Sequence, residues 1–80
     1  MPIEFKRNRV ILRELVRVEV AEPLLEALQN KPATKVDLAA CTHLHAAVLQ
    51  VLMAARPFID KWPQDPELRT WLETVLIPAS

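Results

Sequence analysis

The spacing of hydrophobic residues changes period along the chain, and each change marks an element. Ile3 to Lys6 and Arg9 to Leu15 mix β-branched, aromatic and charged residues around Arg7-Asn8. Asparagine tolerates the left-handed backbone that a tight turn often needs, so this pattern predicts a short hairpin. In its second strand Val10 and Leu12 fall on one face, Ile11 and Arg13 on the other. From about Val20 the period lengthens. Ala21, Leu24, Leu25 and Leu28 stand at the i, i+3, i+4, i+7 spacing of one helix face, with Pro23 in the opening turn and Asn30 and Pro32 at the end. After a connector over 31–35, Lys35 to Cys41 reads as a buried strand running through Thr42 into a second helix. Leu44, Val48, Val51, Leu52 and Ala55 form that helix's apolar face, and Leu49 and Met53 widen it. A stripe so wide belongs to a deeply buried helix or to one covered in part from outside the chain.

Pro57 ends the second helix, and Phe58 to Trp62 predicts a short last strand. In Pro63-Gln64-Asp65-Pro66, Asp65 is a good N-cap and Pro66 suits the first helical position. Leu68, Trp71, Leu72, Val75 and Leu76 then line a third helix, with Arg69, Thr70 and Glu73 outward and Pro78 as its stop. Strand, strand, helix, strand, helix, strand, helix is an α/β order whose crossovers require parallel pairing with right-handed connections. The expected architecture is one domain over 1–80, a mixed sheet of about four strands with helices mainly on one face.

Composition narrows the function classes. With 51% hydrophobic and 25% charged residues, the chain has the make-up of a globular protein rather than a disordered one. Ten Lys and Arg balance ten Asp and Glu for a formal net charge of +0, so no overall field favours nucleic acid or an anionic bilayer. Lys6, Arg7, Arg9, Arg13 and Arg17 outnumber Glu4 and Glu14 near the start and read as a solvated edge. The longest apolar stretch, Leu44 to Ala55, falls short of the ~20 residues a membrane span needs, so no membrane insertion is expected. Glycine is absent, which excludes loops whose backbone must press against a phosphate. Serine occurs only at Ser80, so the usual hydroxyl nucleophile is missing. A lone cysteine and no secretory signal make the cytoplasm the expected compartment.

Candidate chemistry is concentrated in Cys41, His43 and His45. If the strand continued through them, all three would project to one face as metal ligands or as a thiol–imidazole pair would. Against this, the chain holds no other Cys or His to complete a zinc site. A helix starting at Leu44 would also turn His45 away from Cys41. The favoured reading makes Cys41 a small buried hydrophobe and places the histidines in a strand-to-helix loop, with no catalytic residue, metal or cofactor. The competing reading is a metal-binding or thiol-based activity at these three residues. Asp37, inside a strand, should accept hydrogen bonds, and Trp62 and Trp71 should be packing residues.

Lys35 to Arg56, KVDLAACTHLHAAVLQVLMAAR, resembles the signature segment of the STAS domain. That fold serves anti-sigma-factor antagonists and the cytosolic domains of sulfate transporters. Its hallmark is a buried Val-Asp-Leu-Ser strand, a short loop and an Asp-(Ser or Thr)-x-Gly-Leu motif opening an apolar helix. Val36-Asp37-Leu38-Ala39 matches the strand, and His45-Ala46-Ala47-Val48-Leu49 occupies the place of the motif. Glu22 to Leu28 falls where the family has its first helix. The resemblance implies a non-enzymatic signalling or assembly module that binds another protein, kinase-like or an assembly subunit, through this loop and helix. It also implies loss of the family's phosphorylation switch. Ala47 stands at the phosphoacceptor position, His45 replaces the motif's aspartate, Val48 replaces its glycine, and Thr42 lies off the motif. The expected contact residues are His43, His45, Ala46, Ala47 and Gln50. Small side chains at Ala46 and Ala47 would let a partner approach the helix start, whose N–H groups favour acceptors. A homodimer through the same strip is the competing use.

Overall fold

A computed structural model describes residues 3–76. The hairpin forms where alternation predicts it. β1 (Ile3–Phe5) runs antiparallel to β2 (Arg9–Leu12), with Ile3 opposite Leu12 and Phe5 opposite Val10. The Lys6 N–H donates to Arg9 O at 2.7 Å and closes the turn. Val10 and Leu12 are fully buried while Arg13 faces water.

β2 does not run on to Leu15. Glu14 takes a left-handed conformation, φ 54°, which breaks the strand and starts a separate segment, β3 (Glu14–Val16). A single turn of 3-10 helix, Val18–Val20, leads into α1 (Ala21–Asn30), whose Leu24 and Leu28 are buried as the spacing requires. Neither β3 nor the 3-10 turn is foreshadowed by the hydrophobic period.

The predicted strand from Lys35 to Cys41 is also two strands. β4 (Lys35–Asp37) ends where the Asp37 carboxylate accepts the Ala39 N–H at 3.0 Å, an Asx-type turn that diverts the backbone. The Cys41 N–H donates to Leu38 O at 3.0 Å, and β5 (Cys41–Leu44) then runs on to α2 (Ala46–Ala55). The second helix therefore begins at Ala46, and Leu44 is the last, buried residue of a strand rather than a helical one.

Arg56, in the left-handed region at φ 49° and ψ 54°, caps α2, and Pro57 follows it. β6 (Phe58–Lys61) and α3 (Pro66–Leu76) complete the described chain. The Leu68 N–H donates to Asp65 Oδ1 at 3.0 Å, the cap expected from Asp65-Pro66. Pro78, the expected stop, lies outside the described residues.

β2, β4 and β6 pair in parallel, so the main sheet has the order β1-β2-β4-β6 and is mixed, with β3–β5 as a short parallel extension. The fold is the α/β class predicted. Val10 and Val36, adjacent across the sheet, meet Leu24 and Leu28 of α1, Val48, Leu49 and Leu52 of α2, and Leu68 and Leu72 of α3 in one core. The opposite sheet face is charged: Arg9 pairs with Asp60 at 2.8 Å, Arg13 with Glu4 at 3.0 Å, and Lys35 Nζ sits 5.9 Å from the Phe58 ring. Trp62 packs against the core, as expected, but Trp71 is 43% exposed. Leu68 and Leu72, one turn apart, are the buried line of α3, and Trp71 falls beside that line on a helix at the margin of its layer.

Candidate functional site

The segment that precedes α2 is held by pairing with β3. Leu15 lies opposite His43 and Val16 opposite Leu44, after an irregularity between Glu14 and Leu15. The Glu14 N–H donates to Ala40 O at 2.7 Å, and the His45 N–H to Val16 O at 2.9 Å. The strand residues Val16, Cys41 and Leu44 point into the core, whereas Leu15, Thr42 and His43 face out.

This irregular burial decides the fate of the alternating Cys41, His43 and His45. Cys41 is 1% exposed, while both histidines are on the surface, so the three side chains do not share a face. The reason is the bulged register with β3, which breaks simple alternation after Cys41. The Cys41 thiol donates to His43 O at 3.5 Å. Burial pushes it up from 9.0 to about 11, against a smaller lowering by a hydrogen bond to the His43 backbone. At neutral pH this sulfur is a covered, protonated thiol, the opposite of a reactive one. Among the described residues no group of three or more His, Cys, Asp or Glu side chains could hold a metal ion.

His45 is the N-cap of α2. Its backbone is extended, φ −64° and ψ 146°, and its Nδ1 accepts the Ala47 N–H at 3.0 Å. An imidazole accepting at Nδ1 carries its proton on Nε2, which leaves a donor on the surface side of the ring. His45 O accepts from the N–H groups of Val48 and Leu49 at 2.9 and 3.1 Å. The first-turn donors expected to greet a partner's acceptor are thus largely consumed within the chain, by a residue type outside the usual capping set. What remains exposed at this end is mainly side chain. Ala46 and Gln50 are exposed and Ala47 is half-buried.

Two apolar residues that sequence reasoning missed flank this helix start. Leu15 is 44% exposed beside His43, and Val18 is 50% exposed on the 3-10 turn that packs against α2. A signal for Leu15 existed: extending the alternation of Ile11 and Arg13 places it outward. Two concavities among the described residues lie elsewhere, lined by neither His43, His45, Ala46, Ala47 nor Gln50. Small, apolar and hydrogen-bonding groups lie side by side on this surface. Among the described residues no helix is long and apolar enough to cross a membrane. No protein-family model matches the chain, and no curated protein matches it.

Proposed function

We propose that the chain is a non-enzymatic, switchless STAS-like interaction module that works in the cytoplasm and docks another protein through His43, His45, Ala46, Ala47 and Gln50, with Leu15 and Val18 at the margin. The observation that carries this reading is the accessible start of α2, bare of hydroxyls, set against β3–β5 with exposed leucine and valine beside it. Alanine at the family's phosphoacceptor position supports a constitutive contact, made by a kinase-like protein or an assembly subunit and not released by phosphorylation.

The test places a photo-crosslinking residue at Gln50 in the native cell and identifies the captured protein by mass spectrometry. The same experiment is then run with Ala47→Asp and with the distant control Glu67→Ala. Aspartate in the first turn suits the positive end of a helix, so the fold should stand. A discrete partner lost with Ala47→Asp and kept with Glu67→Ala is the expected result. Undiminished capture by a folded Ala47→Asp protein rejects the surface.

A further inference from the structure

Beyond the docking patch, the far end of α2 opens on a concavity of about 570 Å³. This is the size of a small-molecule site, for which ~300–1,000 Å³ is typical. Fully buried Leu52 lies at its base, and half-buried Ile59, Trp62, Val75 and Leu76 line it. Exposed Met53 and Phe58, the latter 65% exposed, also line it. The gap has a clear origin: α3 is buried along Leu68 and Leu72, its last turn is only half covered, and α2 has already stopped at Arg56-Pro57. Water there would find few hydrogen-bond partners, so an apolar group displaces it favourably.

Among the described residues that line this groove, Arg56 is the charged one. Among the described residues the ion pairs use Lys6, Arg9, Arg13 and Arg69, and Arg56 takes part in none. Its backbone is fixed where the chain turns left-handed, with its N–H donating to Leu52 O at 2.9 Å. Glycine is the residue best suited to such a position, and an arginine there roots a guanidinium beside the groove. Proximity to the C-terminal carbonyls of α2 suits a cation, yet a guanidinium has five donors and can still grip a carboxylate with two of them.

We propose that this groove binds a small anionic amphiphile, an acyl or aryl carboxylate, with its apolar part against Leu52, Ile59, Trp62 and Val75 and its carboxylate on Arg56. The concave, half-open shape favours such a ligand over a flat protein face, which would leave the hollow unfilled. The charge complementarity favours a carboxylate over an alcohol or an ammonium. The site lies across α2, ten residues and about 15 Å long, from the docking patch, and does not depend on it.

The test uses the full chain carrying Trp71→Phe, so that fluorescence reports on Trp62 alone. Dodecanoate, dodecanol and dodecylammonium are titrated below the concentrations at which they self-associate, with calorimetry in parallel. Saturable binding of one dodecanoate per chain is expected, at least roughly tenfold tighter than dodecylammonium and weakened roughly tenfold by Arg56→Gln. Val75→Trp, which fills the groove, should reduce binding as well, and Arg56→Gly should mimic Arg56→Gln on a backbone relieved of strain. Absent saturation, equal affinity for the three probes, or unchanged affinity in both Arg56 variants overturns the proposal. So does sedimentation showing a dimer that closes the groove and excludes the probe.

Discussion

The two ends of α2 differ in how they finish their hydrogen bonds and therefore in what they offer. At the N-terminal end, His45 closes the first turn with its own Nδ1 and carbonyl, and the strand pairing of β3 with β5 holds the approach to it. That end is a shallow patch of mixed polarity. At the C-terminal end, Arg56 turns left-handed and the chain leaves the helix beside an apolar hollow. One short helix thus presents an exposed patch at one end and a groove at the other. A satisfied terminus exposes side chains rather than free backbone donors, whereas a truncated one leaves unfilled space.

The largest expected effect removes what both ends share. Leu52 is fully buried in the core and also lies at the base of the groove. Leu52→Ala should cost about 3 kcal/mol of stability in urea titrations, with the groove enlarged beneath Trp62. A loss below about 1 kcal/mol would mean that the two ends are not braced by one core.

Next is the thiol below the N-terminal patch. The folded-state value of Cys41, about 11 against 9.0 for the ordinary group, is raised, so its contribution to stability is complete below pH 9. That contribution is lost as pH rises through about 11, a swing of about 2–3 kcal/mol for a raise of this size. Denaturant titrations across the alkaline range should show this slope in the wild type and its absence in Cys41→Ala. A flat wild-type profile would place the sulfur in water.

The smallest effects should have opposite signs at the two termini. His45→Ala should lower stability by about 1 kcal/mol through loss of the cap, and His45→Asp should restore it. Arg56→Gly should raise stability by up to about 1 kcal/mol, because glycine enters the left-handed region without a Cβ clash. Thermal melts of the three variants measure the contrast directly. Equal shifts in one direction would remove the distinction between the ends.

How much of this was legible in the sequence follows from how local each signal is. The hairpin, the faces of three helices and the Asp65-Pro66 cap are written within a few residues of where they act. Both strand interruptions were missed, for different reasons. Nothing in a glutamate announces positive φ at Glu14, which is held by the Glu14–Ala40 hydrogen bond to a distant segment. Asp37 was expected to accept a hydrogen bond, but its partner at Ala39 turns the chain, and that shifted the helix start from Leu44 to Ala46. In the candidate patch, His43, His45, Ala46, Ala47 and Gln50 are close in sequence and could be named together. Leu15 and Val18 join them only through β3–β5 pairing, and the groove draws on residues from Leu52 to Leu76.

The helix-free side of the sheet has its own consequence. Arg9 of β2 reaches over β4 to Asp60 of β6, and Arg13, just past the end of β2, pairs with Glu4 of β1. A second layer laid on that side would have to strip water from four ionic groups, at a cost of several kcal/mol for each ion fully buried. Lamination of one molecule upon another is therefore discouraged on that side of the fold.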